Sequence, residues 1–319
     1  MHYRRLGRSG LKVSEISLGS WVTFGNQVSE ETAIELIHAA YDQGVNFFDN
    51  ADMYANGQAE IVMGKAIQGM QRETLVISSK VFWPTLPGPN GRGLSRKHVF
   101  ESVDGSLRRL GLDYLDLYFC HRFDPDTPIE EVVWTMNDLI HQGKILYWGT
   151  SEWEATQVAQ AIGLARQYNL IPPTMEQPQY NLFHRSRVER ELSPLCKEYG
   201  LGLTTWSPLY YGILSGKYNE NVPEGSRASL PEMNWIRDRI TPERVTIVRQ
   251  LTALAQEMEL TTAQLAIAWL LRRKEVSSVI TGATSPEQLD ENITAGETVE
   301  KLTDEVLDRI EQITGNLPE

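Results

Sequence analysis

From residue 16 to about residue 295, short apolar runs alternate with longer amphipathic stretches, the pattern of successive parallel βα units. Eight runs predict strands, at 15–18, 46–49, 75–80, 114–121, 146–151, 174–177, 201–207 and 276–281. Helix punctuation lies between them. Ser29-Glu30-Glu31-Thr32 reads as a capped start of a helix ending near Gln43-Gly44, and Ser95 precedes an amphipathic run from Arg96 to Leu110 with Gly111 just beyond. Pro128 sits in the first turn of a helix running to about Gln142-Gly143, and Ser285-Pro286-Glu287 opens another. Ahead of the first unit, residues 3–6 and 11–13 flank a Gly/Ser/Gly turn and predict a hairpin capping one end of the fold. After the last unit, 303–315 predicts a helix with Val306, Leu307, Ile310 and Ile313 on one face. Two segments, 82–94 and 209–241, read as long irregular loops, a length that in a compact fold points to lids or binding segments.

Such units close as a barrel or lie open as a doubly wound sheet. No GxGxxG fingerprint follows the first strand, where an open dinucleotide-binding sheet would carry it. Polar residues instead gather at successive strand ends: Asp49, Lys80, His121, Ser151, Gln177, Ser207 and Gly282. Barrels build active sites from that rim, so a (β/α)8 TIM barrel with an N-terminal β-hairpin and a C-terminal helix is expected.

The 319 residues, 41% of them hydrophobic, suffice for one large core, and no linker or repeat divides them; a single domain over 1–319 is expected. Thirty Lys and Arg against 42 Asp and Glu leave a net charge of −12, and the longest basic runs are Arg108-Arg109 and Arg272-Arg273-Lys274, so no nucleic-acid partner is expected. No apolar segment follows Met1-His2-Tyr3-Arg4-Arg5, and no apolar run approaches the roughly 18 residues of a membrane span; the expectation is a cytoplasmic protein without membrane insertion. Cys120 and Cys196 have no CxxC or zinc spacing, which predicts buried thiols and no metal site.

The chemistry concentrates in Phe47-Phe48-Asp49-Asn50-Ala51-Asp52-Met53-Tyr54, where an apolar run ends in a carboxylate and a phenol follows a polar turn. A tyrosine protonates a substrate oxygen well only when a neighbouring cation stabilises its phenolate. Lys80 supplies that cation, Asp49 holds it charged, and His121 orients a carbonyl oxygen toward Tyr54. Taken singly, Tyr54 reads as packing, Asp49 and Lys80 as a structural ion pair, and His121 as a structural histidine. Their placement on consecutive strand ends favours a site that protonates an oxygen as charge develops there, as carbonyl reduction by hydride requires. The remaining histidines, His2, His38, His98, His141 and His184, read as surface residues.

The chain resembles the aldo-keto reductases, and among them the branch of the voltage-gated potassium channel β subunits with their plant and bacterial relatives. The resemblance starts at Tyr3-Arg4-Arg5-Leu6-Gly7-Arg8-Ser9-Gly10-Leu11-Lys12-Val13-Ser14 and continues to the end of the chain. Its marks are Trp21-Val22-Thr23-Phe24-Gly25, the Asp49–Tyr54 stretch, Gly93-Leu94-Ser95-Arg96-Lys97-His98, Tyr147-Trp148-Gly149-Thr150-Ser151, Trp206-Ser207-Pro208-Leu209 and Gly212-Ile213-Leu214-Ser215-Gly216-Lys217-Tyr218.

The resemblance implies a catalytic tetrad of Asp49, Tyr54, Lys80 and His121, and NADPH (or NADP+) extended over the barrel mouth. It implies that Ser151 and Gln177 hold the nicotinamide carboxamide and that Trp206 lies against the ring. Ser207 and Leu209 begin a segment over the pyrophosphate with Lys217 supplying charge; Arg227, Thr284 and Gln288 serve the 2′-phosphate, and Glu291 and Asn292 the adenine. Trp21, Asp49, Glu152 and Gly282 complete the expected cofactor contacts, and Trp21, Trp83, Tyr210 and Tyr211 the expected substrate walls. Animal channel subunits commonly carry asparagine in place of the tetrad histidine and Arg where this chain has Glu152. His121 therefore favours a working reductase of small carbonyl substrates over a redox-sensing channel subunit. The resemblance begins at Tyr3, directly at the family's core, so no long N-terminal extension of the inactivating kind is expected. Channel-associated relatives imply a homo-tetramer, and a channel partner is the disfavoured alternative. A barrel lyase or isomerase finds no metal cluster or separate phosphate motif in the sequence.

Overall fold

The computed structural model describes residues 1–21, 23–24 and 27–315, with Glu232 as backbone only; Val22 and Gly25 of the motif at 21–25 lie outside the described residues. Strands β1 (Tyr3–Arg5) and β2 (Lys12–Ser14) pair antiparallel. The next eight are β3 (Ile16–Gly19), β4 (Phe47–Asp49), β5 (Val76–Val81), β6 (Leu115–Cys120), β7 (Ile145–Ser151), β8 (Met175–Gln177), β9 (Gly202–Thr205) and β10 (Val276–Thr281). They close in sequence order, all neighbours parallel, with β10 against β3. With helices in the connections, this is the expected (β/α)8 TIM barrel carrying a small N-terminal sheet.

Side-chain pattern explains the closure. Strands β3 to β6 and β8 to β10 are buried throughout, as strands covered by helices outside and packed side chains inside must be. Phe47, Leu117, Phe119 and Met175 form one cluster with Leu6 and Val13 of the hairpin. The hairpin is thus a plug, held against the barrel base by the Arg8 amide donating to Gly200 O at 2.8 Å. Gly7, at φ 56°, sits so close that a Cβ there would come within 2.2 Å of Gly200 O.

The helix signals hold where a side chain caps. Ser29, Ser95 and Ser285 accept from the backbone of helices Glu30–Asp42, Arg96–Leu110 and Pro286–Thr294, and Asp304–Thr314 is the last helix among the described residues. Pro128 stands immediately ahead of Ile129–His141 rather than in its first turn. Two further expectations change. Residues 209–241 are not irregular throughout but hold short turns at Tyr210–Ser215, Arg227–Ser229 and Pro231–Met233 and a short helix, Asn234–Arg237. His98 is buried rather than at the surface, because it shares the inward face of its helix with Val99, Ser102 and Ser106. Cys120 and Cys196 are buried free thiols. Among the described residues, no helix is long and apolar enough to cross a membrane.

Candidate active site

The C-terminal ends of the barrel strands converge on a cleft of about 720 Å³. Asp49, Ser151 and Gln177 are the last residues of β4, β7 and β8, His121 follows β6 directly, and Lys80 is the penultimate residue of β5. Parallel pairing sets these ends side by side; Ser151 lies opposite Gln177 in register. β9 stops at Thr205, so Trp206 and Ser207 lie beyond the strand, and Ser207 leaves extended backbone at φ 55°.

Lys80 is the hub, with no solvent exposure. Its Nζ lies 2.6 Å from Asp49 Oδ2, donates to Asn50 O at 2.7 Å and reaches Tyr54 Oη at 3.3 Å. Burial pulls the ammonium below the ordinary lysine range, and the Asp49 carboxylate opposes that pull. Asp49 is fixed in turn, its Oδ1 accepting from Ser78 Oγ at 2.8 Å and Gln177 Nε2 at 3.0 Å. Burial, reinforced by Asp49, raises Tyr54 well above the usual phenol range, so the group is a proton donor at neutral pH.

The His121 ring stands edge-on to Tyr54, centroids 5.8 Å apart. Burial, then the charges of Lys80 and Arg122, hold it well below the ordinary histidine range. It is therefore neutral, with Nδ1 enclosed and unpartnered, which leaves Nε2 as the nitrogen able to meet a ligand. These directions fix a pH profile. A proton-donating reaction here is expected to show no acid limb near the usual histidine pKa of about 6.5 and to decline on the alkaline side as Lys80 loses its charge. An acid limb that disappears on replacing His121 would contradict the neutral assignment.

The cleft has two ends. At one, Trp21, Trp206 and Tyr211 face one another with centroids 6.0–6.3 Å apart, and Trp83 stands 6.3 Å from His121. At the other, Lys217, Arg227, Thr284, Gln288, Glu291 and Asn292 line the wall with Gly282. A tight turn bridges the ends, with Tyr210, Tyr211 and Gly212 at φ 45°, 61° and 95°. A Cβ on Gly212 would meet Lys217 Nζ at 2.9 Å.

Ser207 and Leu209 line the cleft with these residues; three expected residues do not, the fully buried Lys80 and two expected contact residues, Tyr210 and Glu152. Tyr210 is turned under the surface, packed on Phe183 and Tyr211 with Arg244 over its ring. That packing holds Tyr210 inward and leaves Tyr211 as the wall. Glu152, at φ 59°, reaches behind the rim: Oε1 accepts from Trp206 Nε1 at 2.9 Å and from the Gln179 amide, and Oε2 pairs with Arg187 at 2.8 Å. It holds the indole rather than facing the cavity. Conversely, Arg122, Met53 and Gln27 line the cleft and were not anticipated, and 223–226 line it from the segment expected to form a lid or binding loop. Arg122 carries the signal that marks the others, a polar side chain just past a strand.

A cleft of this size that joins an aromatic group, Trp21, Trp206 and Tyr211, to the cations Lys217 and Arg227 fits a dinucleotide with a flat ring and phosphates. Gln177 fits as well: its Nε2 is engaged by Asp49, leaving Oε1 to accept from a carboxamide. The profile described as Aldo/keto reductase family matches residues 15–314. The chain is 49% identical to a protein of Arabidopsis thaliana, over 100% of this chain and 98% of that one, and the same figures hold for one of Oryza sativa subsp. japonica. Both bear the name "Probable voltage-gated potassium channel subunit beta". The chain belongs to the aldo/keto reductase family, whose members are oxidoreductases that bind NAD(P)H.

Proposed function

We propose that this protein reduces aldehydes, reactive ketones and dicarbonyls to alcohols with NADPH. The observation that carries the reading is the Lys80 ammonium held between Asp49 and the Tyr54 hydroxyl at 2.6 and 3.3 Å. Tyr54 gives its proton to the carbonyl oxygen, the negative charge left on its own oxygen is stabilised by Lys80, and neutral His121 donates through Nε2 to hold that carbonyl in line. When bound, reduced nicotinamide supplies the hydride to the carbonyl carbon. Ser151 and Gln177 would hold its carboxamide, and Trp206, fixed through Glu152, would lie along the ring. Lys217 and Arg227 would hold the phosphates. The buried free thiols fit a reducing cytoplasm.

The test is NADPH consumption across small aldehydes, dicarbonyls and aromatic aldehydes, repeated with NADH. Turnover with a preference for NADPH is expected, and Arg227→Ala should narrow that preference. Equal efficiency with NADH would remove the role given to Lys217 and Arg227. A second reading, an auxiliary channel subunit that binds NADPH and turns over slowly, draws on the names of the plant relatives. Co-purification with a membrane channel together with negligible turnover on the whole panel would favour it.

A further inference from the structure

We infer that Arg122 forms a carboxylate subsite in the cleft, so that carbonyl compounds bearing a carboxylate are the preferred substrates. The inference rests on the reductase reading and adds the substrate class to it. Arg122 lines the cleft beside His121, on the wall that holds Tyr54 and Trp83. Its Nη1 donates to the His121 carbonyl at 2.5 Å, and its guanidinium carbon lies 5.6 Å from the centroid of the Trp83 ring. These contacts fix the group and leave Nε and Nη2 without a partner among the described residues. Arg122 forms no ion pair among the described residues, whereas Arg187 nearby takes Glu152 at 2.8 Å.

The charges that face Arg122 do not satisfy it. Glu152 is committed to Trp206, Gln179 and Arg187. Glu176, fully buried and bonded to Thr150 and the Trp153 amide, is pushed by burial up to about 8, so it is mostly protonated at neutral pH. What remains is a half-buried guanidinium with donors to spare, next to the group that would meet a carbonyl oxygen. A carboxylate answers its planar fork better than any neutral group. Lys217 and Arg227 group with each other and with Gly212 and Gly282, whereas Arg122 groups with His121 and Trp83, so phosphates held by that pair leave Arg122 unused. A net charge of −12 repels anions in general, which makes one local cation decisive for admitting them.

The experiment compares kcat/KM for succinic semialdehyde with that for butanal, and for carboxybenzaldehyde with that for benzaldehyde, in wild type and Arg122→Met. Taking each pair as a ratio cancels the intrinsic reactivity of the carbonyl. The charged-to-neutral ratio is expected to fall roughly tenfold to a hundredfold in Arg122→Met, and Arg122→Lys to recover part of it. A ratio that stays within about twofold would overturn the subsite and leave the reductase reading standing. A third pair, glyceraldehyde phosphate against glyceraldehyde, separates anions: a fall confined to that pair would overturn the carboxylate assignment. Benzoate binding to the NADPH-loaded protein, followed by fluorescence, reads the subsite without turnover. It is expected to weaken about tenfold or more in Arg122→Met. Should the wild type reduce no aldehyde, the reductase reading falls, and the benzoate titration still decides the subsite.

Discussion

Replacing Tyr54 with Phe is expected to lower NADPH-dependent aldehyde reduction by about 10²- to 10⁴-fold, the usual worth of a positioned proton donor. Cofactor affinity should change little, because the substitution removes the hydroxyl alone and keeps the ring. The phenyl ring keeps its edge contact with His121 at 5.8 Å and stays under Lys80, whose Nζ lies 4.9 Å from the ring centroid. Since the hydroxyl has Lys80 as its protein partner, stability should move by no more than a typical hydrogen bond, roughly 1 kcal/mol. Stopped-flow turnover beside a NADPH fluorescence titration reads both quantities. Unchanged turnover would remove Tyr54 as the donor, and lost cofactor binding would mean that its effect is structural.

Lys80→Met should be costly in two ways at once. Turnover falls because the phenolate loses its cation. Stability falls because Asp49, 3% exposed, keeps a buried charge with no counterion, a loss of about 3–5 kcal/mol. The lower end of that range is expected, since Ser78 and Gln177 still donate to Asp49 Oδ1. Pairing Lys80→Met with Asp49→Asn should return most of the stability and none of the activity. Urea midpoints and turnover for the single and double variants separate the effects. A double variant no more stable than Lys80→Met would mean the loss comes from packing rather than charge.

Much of this site was legible in the sequence because parallel strands end where apolar runs end. Asp49, His121, Ser151 and Gln177 stood out as polar residues closing buried runs, and the closed barrel brings those ends together. Lys80 was readable for the same reason, although β5 continues one residue past it to Val81. What escaped depends on backbone dihedrals that no periodicity encodes. Tyr210 and Tyr211 are adjacent and alike, and only the tight left-handed turn they share, which seats Tyr210 on Phe183 under Arg244, leaves Tyr211 alone in the cleft wall. Glu152 turns away from the cavity for the same kind of reason. His98 reads as a surface residue from its place in a polar helix, Arg96, Lys97 and Glu101 being close by, while its helical phase with Ser102 puts it inside. Arg122 was hidden behind its more conspicuous neighbour His121.

The most direct test of the reductase reading is hydride transfer itself. NADPH deuterated on the nicotinamide carbon that gives up hydride is mixed with an aldehyde and the wild-type protein, and the alcohol is analysed by mass spectrometry. Deuterium is expected on the carbinol carbon, in step with NADPH consumed and absent from the Tyr54→Phe reaction on the same timescale. NADPH bound but never consumed, with no labelled alcohol from any aldehyde tried, would contradict the reading and leave the channel-subunit alternative in its place.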